Sequence, residues 1–552
     1  MVVLMLKRLV PGLRLLALLG VVCGLTMGRE VLAADDVTKN YSEHRSPNEN
    51  TAEEGEDGAD EVPEDPNARV PTIAELRKTY RLVEKETTEV SAFKAPKIPN
   101  LSAFTADAVA KKVDASTKGN VRIDAMLSEP GFKALTTAIG QGLSEFARRQ
   151  NGGLRGVFIE NGHMTLAEVA AGLPKDVMEE VSPGVYVARL PILVRHGASL
   201  LIGRTVKQLR LSQERGALLA VEGTMVISGS EVLGWSETAS SPSKFKTPKE
   251  FRPFIVGWGG SKIYIAKSRI ANMGYASTKA YGLTMSQYSN SMIQRHVWPK
   301  PTGWIIDSEI EDMWYGFYTW EADDVVLKGN TLKNNILYGF DPHDRSKRLI
   351  IANNEVYGTK KKHGIIISRN VDDSWIIGNK THDNALSGIV LDRQCSNTVI
   401  ANNQAYKNGS DGIVISESSR NLLWNNLVSG NKHHGIRLRN SMDVRIQDNF
   451  AIANGLAGIY GVSRDLSKTD RDFVEDPYTE AMSMTVVGGQ LSSNGSGPLN
   501  LDAPTRATFL NLDLRTPQRE LGFRLGGALL PFQIEFLDIV LNRKKAAVVE
   551  RQ

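Results

Sequence analysis

Cysteine is almost absent from this sequence. The chain has 552 residues but only two cysteines, Cys23 and Cys395, and the first lies in the apolar N-terminal stretch. If that stretch is removed on export, the mature chain cannot form an internal disulfide. This excludes the small secreted folds that disulfides hold together. A hydrophobic core must stabilise the fold instead, and 41% hydrophobic residues are ample for a large one.

A strong net charge and a high aromatic content are also missing. The formal net charge is +4, and aromatic residues make up 7% of the chain. Nucleic-acid-binding proteins usually show a strongly basic surface together with a known motif or a row of stacking aromatics. The sequence has no such motif, so we expect no nucleic-acid partner.

The N-terminal apolar run, Leu15–Val22, is too short to span a bilayer. It follows a basic start with Lys7, Arg8 and Arg14, and it precedes a plausible cleavage site at Val31–Ala34. This order is typical of a secretory signal peptide, which we predict for residues 1–34. An uncleaved membrane anchor is the alternative.

Two further segments precede the regular part of the chain. Residues 35–70 are acidic, contain several prolines and have few aromatics, which predicts a disordered linker. Residues 71–184 mix helical and strand patterns, and Phe132–Ile139 and Leu143–Ala147 favour helix. We predict that this second segment is a partly helical N-terminal cap.

Motifs for resident metals and cofactors are absent as well. The sequence has no Gly-Gly-x-Gly-x-Asp calcium repeat, and no His/Cys cluster has the spacing of a zinc site. We therefore expect neither a metal site nor a cofactor. The Leu-x-x-Leu-x-Leu frame of leucine-rich repeats is missing too, and so are the longer units of helical repeats.

What the sequence does contain is a repeat of 23–25 residues. Each unit contains one glycine at an equivalent position, and one asparagine recurs with the same period. The glycines are Gly316, Gly339, Gly364, Gly388, Gly412, Gly435 and Gly458, and the asparagines are Asn330, Asn354, Asn379, Asn403, Asn426 and Asn449. Between them lie short runs of β-branched residues, which are typical of strands bounded by turns. This pattern predicts an all-β fold, a right-handed parallel β-helix over 185–515, with a C-terminal cap at 516–552.

The repeat unit also predicts which side chains face outward. The first and third residues after each marker glycine are mostly aliphatic and should enter the core, so the second and fourth should face out. In one unit these outward positions hold Asp341 and His343 instead of the residues common elsewhere. Because successive coils lie about 4.8 Å apart, Arg369 on the next coil should be able to share a substrate with His343.

Cations are concentrated on the same predicted face. The candidate substrate-binding residues are Trp320, Lys362, His363, Arg393, Arg437 and Arg439. A local basic strip on an extended sheet suits an extended anionic ligand, and by fold analogy a polyuronate fits best. An ordinary solvated charged surface is the alternative interpretation.

These residue types suit proton abstraction at a uronate. The C-5 proton lies α to the carboxylate, so its removal needs a base and a cation that neutralises the growing negative charge. His343 is the candidate base, and Arg369 is the candidate neutraliser because its planar fork matches a carboxylate. Asp341 or Asp344 could orient the imidazole, and Tyr338 could contact the sugar or pass a proton.

The motif Asp341-Pro342-His343-Asp344 resembles that of the periplasmic mannuronan C-5 epimerases of alginate-producing bacteria, the AlgG family. The resemblance extends over the signal, the cap and the whole solenoid. It implies conversion of β-D-mannuronate to α-L-guluronate within the polymer, with His343 as base and Arg369 as carboxylate neutraliser. It also implies a periplasmic location and membership of a complex with other proteins of alginate polymerisation and export. We expect a monomer in isolation.

Two other functions stay open at this point. A polysaccharide lyase begins with the same proton abstraction but then expels the C-4 oxygen. A non-catalytic scaffold would bind the polymer without turnover. The residues alone do not separate these outcomes from epimerisation.

Overall fold

The computed structural model of the protein describes residues 69–90, 93–128, 142–288, 298–469, 471–474, 476–515 and 523–552. The predicted signal peptide at 1–34 lies outside these residues, as does the predicted linker at 35–70 up to residue 68. The predicted helix at Phe132–Ile139 also lies outside them. No helix in the described ranges is both long and apolar enough to cross a membrane.

The described chain winds into a parallel β-helix. Each regular coil adds one short strand to each of three sheets, which we name A, C and B in the order the chain visits them. From the C-terminal to the N-terminal end, sheet A consists of Tyr80–Lys85, Ala546–Arg551, Arg506–Leu510, Ser483–Val487, Val444–Gln447, Leu422–Trp424, Val399–Ala401, Trp375–Ile377, Ile350–Ala352, Val326–Lys328, Thr302–Ile306, Lys262–Ala266, Thr224–Ser228, Ser199–Ile202 and His163–Thr165.

Sheets C and B stack in the same way. From the N-terminal end, sheet C consists of Met178–Ser182, Val185–Ala188, Gln208–Ser212, Glu231–Ser236 with Ser241–Pro242 beside it, Arg269–Ala271, Glu309–Glu311, Thr331–Lys333, Glu355–Tyr357, Lys380–His382, Gln404–Tyr406, Leu427–Ser429, Phe450–Ile452, Gln490–Ser492 and Asp513–Arg515. Sheet B consists of Asn120–Ala125, Arg155–Glu160, Ile192–Val194, Leu219–Val221, Ile255–Trp258, Gly282–Ser286, Tyr315–Trp320, Tyr338–His343, Ile365–Ser368, Ile389–Asp392, Ile413–Ser416, Ile436–Arg439, Ala457–Val462, Gly497–Asp502 and Gly526–Gly527.

The helices lie near the two ends of the β-helix and in the N-terminal segment of the chain that runs between those ends. Among the described residues, the α-helices are Ile73–Thr79, Ala106–Ala110, Gly142–Arg149, Leu166–Ala171 and Gln533–Leu537. The short 3-10 helices are Thr87–Glu89, Leu101–Ala103, Met126–Ser128 and Leu530–Phe532, and a π-helical turn spans Asp538–Asn542. The helix Gly142–Arg149 confirms the helical pattern predicted for Leu143–Ala147.

The core is a column of aliphatic side chains inside the coils. The first and third residues after the marker glycines fill it, as in Ile365 and Ile367 and then Ile389 and Leu391 one coil later, all at 0% exposure. Because equivalent positions of successive coils hold similar apolar side chains, each coil extends the hydrophobic core of the preceding coil. The predicted division into inward and outward positions is therefore confirmed on sheet B.

Two ladders of buried asparagine run along the turns. In the ladder of repeat-marking asparagines, from Asn330 to Asn449, each side-chain amide donates to the next asparagine oxygen at 2.8–3.0 Å. A second ladder, from Asn384 to Asn494, repeats these bonds at 2.9–3.0 Å. The asparagines of this second ladder are not among those predicted from the repeat, although they recur with the same period in the sequence. Both ladders also donate to backbone carbonyls of neighbouring coils, so they satisfy turn groups that water cannot reach.

The stretch 71–184 contributes to both ends of the β-helix, whereas the sequence analysis assigned all of it to the N-terminal end. Strand Tyr80–Lys85 pairs antiparallel with Ala546–Arg551 at the C-terminal end of sheet A. Strand Asn120–Ala125 pairs antiparallel with Arg155–Glu160 at the N-terminal end of sheet B. Between them the chain packs along sheet A, where Phe104 meets Trp304 edge-to-face at 4.9 Å. Sequence patterns cannot reveal this pairing, because 469 residues separate partners such as Arg81 and Glu550.

The asparagine ladder yields a stability prediction. Asn403→Ala should lower the free energy of unfolding by about 2–4 kcal/mol, because it leaves buried partners on two neighbouring coils without hydrogen bonds. Those partners include the Asn379 N–H and the Ile376 carbonyl. Gln404→Ala, at an exposed position of the next strand, is the control. Thermal melting of both variants tests this, and equal melting temperatures would contradict it.

Candidate active site

The candidate site lies on the outer face of sheet B, on strand Tyr338–His343. This strand pairs with Tyr315–Trp320 on one side, which sets Asp341 beside Tyr318 and His343 beside Trp320. On the other side the paired residues are Phe340 with Ile365 and His343 with Ser368. Pro342 lies between these two pairs and cannot donate to the ladder, since proline has no N–H. The regular sheet is therefore interrupted at the motif.

His343 is buried, with only 2% of its surface exposed, although it faces away from the core. Its Nδ1 contacts the carboxylate of Asp344, the next residue in the chain. An ionised carboxylate only accepts, so Nδ1 carries the proton and donates it in this bond. The lone pair of the neutral imidazole is then on Nε2. This is the arrangement expected of a general base held by an orienting carboxylate.

The Asp344 carboxyl stays ionised. Burial by itself would raise its pKa, but the charge and hydrogen bond of His343 and the nearby cations Arg369 and Lys279 hold that pKa well below its usual range. The backbone of Asp344 is left-handed, with φ of 33°. Its side chain points back toward His343. Local backbone geometry thus places the carboxylate on the imidazole.

Arg369 lies one coil beyond the motif and joins this pair. Its Nη1 is 3.6 Å from Asp344 Oδ1, and its own backbone is left-handed with φ of 60°. The structure therefore brings His343, Asp344 and Arg369 together, as the sequence analysis expected. Arg369 also forms an ion pair with Asp476, at 3.1 Å from Nε and 2.5 Å from Nη2.

The two remaining candidates for chemistry are also buried here. Asp341 is 3% exposed and lies on the same outward side of its strand as His343. Tyr338 is 4% exposed and packs against Tyr315 at 5.1 Å and against the ring of His363 at 6.1 Å. The contact of Asp344 with Nδ1 places this carboxylate where it can orient the imidazole.

Sequence analysis did not single out three residues at the site. The Tyr318 ring stacks near His343 with centroids 5.8 Å apart. The Lys279 ammonium lies over the rings of Trp320 at 4.4 Å and Tyr318 at 5.3 Å. Asp476 reaches Arg369 from 107 positions along the chain. Tyr318 could have been found from its outward position in the repeat, but Lys279 and Asp476 lie outside the repeat pattern.

The predicted substrate-binding residues occupy different surroundings. Trp320 borders His343 and is half-buried. His363 is buried, and its Nδ1 accepts a hydrogen bond from the Ser387 N–H at 3.1 Å. Lys362 beside it is half-buried.

The three arginines predicted on later coils face carboxylates of the protein. Arg393 lies 3.2 Å from Asp476, Arg439 lies 3.2 Å from Glu417, and Arg437 lies 3.0 Å from Asp411. Arg437 and Arg439 belong to strand Ile436–Arg439, which is four coils after His343, so they do not join the His343 group. Within the described ranges, no three His, Cys, Asp or Glu side chains form a group that could hold a metal ion.

Comparison with known proteins identifies the fold and the family of the chain. A family model described as "Right handed beta helix region" matches residues 315–470. The chain is 49% identical to the mannuronan C5-epimerase AlgG of Azotobacter vinelandii, over 85% of this chain and 89% of the relative. It is 50% identical to the mannuronan C5-epimerase of Pseudomonas aeruginosa, over 82% of this chain and 84% of that one.

A solved structure agrees in fold. The crystal structure of the periplasmic alginate epimerase AlgG aligns with a TM-score of 0.75 at 47% identity, covering 77% of this chain and all of that chain. Together with the family model, this confirms the right-handed parallel β-helix that the repeat predicts. Similarity at this level over most of both chains shows the family, and the chain belongs to the mannuronan C5-epimerases that include AlgG.

Proposed function

We propose that the protein is an isomerase, a mannuronan C5-epimerase that converts β-D-mannuronate to α-L-guluronate residues within polymeric alginate in the periplasm. The observation that carries the proposal is the identity of 49–50% to relatives named mannuronan C5-epimerases over more than four-fifths of the chain. The group of His343, Asp344 and Arg369 on sheet B supplies chemistry that fits it.

The first step we propose is removal of the C-5 proton by Nε2 of His343. Asp344 holds the ring in the required tautomer and balances the positive charge that the imidazole gains. Burial of His343 and Asp344 strengthens this pairing, because charges interact more strongly where water is scarce.

The second component is neutralisation of the substrate carboxylate. As the C–H bond breaks, the electron pair delocalises into the carboxylate and adds a second negative charge to it. Arg369, held beside Asp344, is the cation best placed to stabilise that charge through its planar fork. Without such a cation the enolate-like intermediate would be too costly to form.

The third step returns a proton to C-5 from the opposite face, which inverts the centre and leaves the glycosidic bond intact. The proton lost to His343 passes to solvent, and a proton from solvent replaces it. A lyase would instead break the bond to the C-4 oxygen and leave an unsaturated sugar. The polymer itself is the substrate, so no cofactor takes part in this scheme.

The proposal includes a cellular setting that rests on the family alone. We expect the protein to work beside other proteins of a periplasmic alginate polymerisation and export complex, and to be a monomer when isolated. Arg393, Arg437, Arg439, Lys362, His363 and Trp320 stay candidates for contact with the polymer.

Loss of the base should abolish most activity without unfolding the protein. We expect His343→Asn to reduce kcat about 10²–10⁴-fold, the usual contribution of a general base, because the amide cannot take the proton. Proton NMR of polymannuronate after incubation measures the guluronate formed. Ser416→Ala is the control, since it changes the same outward column three coils later. A folded His343→Asn protein with parental turnover would refute the assignment.

Arg369 should matter through both its charge and its shape. We expect Arg369→Ala to lower kcat about 10²–10³-fold, the range seen when a stabiliser of transition-state charge is removed. Arg369→Lys should recover only part of the lost kcat, because an ammonium keeps the charge but cannot form the bidentate pair with the carboxylate. Rates equal to the parent in the alanine variant would show that the carboxylate is neutralised elsewhere.

Solvent exchange separates epimerisation from elimination. In deuterium oxide, each newly formed guluronate should carry deuterium at C-5, because the returned proton comes from solvent. NMR of the product polymer reads the label directly, and ultraviolet absorbance reports unsaturated ends. Accumulation of unsaturated ends in place of labelled guluronate would assign the protein to the lyases instead.

A further inference from the structure

The repeat is broken once near its C-terminal end by an inserted segment. The step from Gly458 to Gly497 is 39 residues, compared with 23–25 in the regular coils. Residues 463–482 leave the β-helix after strand Ala457–Val462 and return at Ser483–Val487, and residues 470 and 475 are not among those described. We call residues 463–482 the insert.

The insert is fixed at its two ends and exposed between them. Leu466 is 1% exposed and Met482 is 0% exposed, so both are part of the packed interior. Among the described residues of 467–481, Asp476 alone is buried, at 6% exposure, whereas Val474 two positions earlier is 89% exposed. The carboxylate of Asp476 thus reaches the site from a largely exposed loop.

That carboxylate pairs with Arg369, beside the candidate base, and with Arg393 one coil further on. Its oxygens are 3.1 Å from Arg369 Nε and 2.5 Å from Arg369 Nη2, and one of them is 3.2 Å from Arg393 Nη1. The Nε–Nη2 edge of Arg369 is therefore occupied. Its Nη1 faces Asp344 at 3.6 Å, so the other edge points toward a second carboxylate. A substrate carboxylate can bind the Nε–Nη2 edge of Arg369 in a bidentate manner only if Asp476 moves away.

We propose that Asp476 is a resident substitute for the uronate carboxylate, which holds Arg369 and Arg393 in the empty enzyme and is displaced by each mannuronate that enters. The proposal rests on the function proposed above, in which Arg369 binds the substrate carboxylate. It makes Asp476 a competitor of the substrate for the same cations, and thereby a determinant of apparent affinity.

Charge balance favours an exchange of this kind. A buried arginine without a partner is costly, whereas replacing one carboxylate by another leaves both cations paired in the empty and the bound state. The exchange also keeps the Arg369 fork ordered before the substrate arrives, which avoids the cost of immobilising it later.

Polar contacts join the insert to the β-helix. Besides Asp476, the Gln394 side chain donates to the Pro477 carbonyl at 3.1 Å, and Arg471 pairs with Glu417. The apolar anchors at the two ends lie outside this part of the loop. The proposal requires that Asp476 withdraws while Leu466 and Met482 stay packed.

The test measures binding where turnover is stopped. In a His343→Asn background, isothermal titration calorimetry with a short mannuronate oligomer should show that Asp476→Asn binds about tenfold more tightly, the gain expected when one charge-assisted competitor is removed. In the otherwise unchanged enzyme, Asp476→Asn should lower KM by a similar factor. Thermal melting verifies that the variants are folded.

Two controls separate the competing explanations. Glu480→Gln removes one charge from an exposed position of the same insert, so its affinity should stay near that of the background. Arg369→Ala in the His343→Asn background should weaken binding. If it does not, the proposed role of Arg369 fails, independently of Asp476.

If Arg369→Ala weakens binding but Asp476→Asn binds the oligomer equally or less tightly, the substitute role is overturned. A fall in kcat for Asp476→Asn with unchanged KM would overturn it too. That pattern would mean that Asp476 stays in place during the reaction and only positions Arg369.

Discussion

Coil-to-coil stacking of equivalent positions is the constraint on which the structure depends. Strands of successive coils pair in parallel and in register, so residues separated by one repeat become neighbours. A position that suits one coil must therefore suit its neighbours, which is why aliphatic side chains fill the inner positions and asparagine fills the turns. The asparagine ladders matter most, because they supply hydrogen bonds to turn groups enclosed between coils.

The active site uses the same register for a different purpose. Tyr318, Asp341 and the residues around them are neighbours across strands, so a change of residue type in a single coil produces a compact polar group. The strands around it keep their aliphatic core, which leaves the fold intact while the outer face changes. Pro342 removes a backbone donor at this point, and the resulting gap in the ladder coincides with the motif.

Charge compensation shapes the outer face of sheet B beyond the motif. Arg393 and Arg439 are 4% and 3% exposed, and both pair with carboxylates of the protein. A row of arginines in the sequence is thus not the same as a row of free cations on the surface. The insert and the turns neutralise much of this charge, and the balance between protein and substrate carboxylates sets how strongly an acidic polymer is held.

The sequence by itself determined the fold class, the core positions and the central motif. Periodic glycine, asparagine and aliphatic residues are local signals, and a parallel β-helix converts them directly into neighbours one coil apart. For the same reason the approach of Arg369 to His343 was predictable, since 26 positions correspond to about one repeat. Only the tertiary structure decided that Asp344 contacts the imidazole, that Lys279 and Asp476 reach the site, and that Tyr80–Lys85 pairs at the far end. These contacts join segments outside the repeat, and their partners depend on the path of loops through space, for which sequence spacing carries no information.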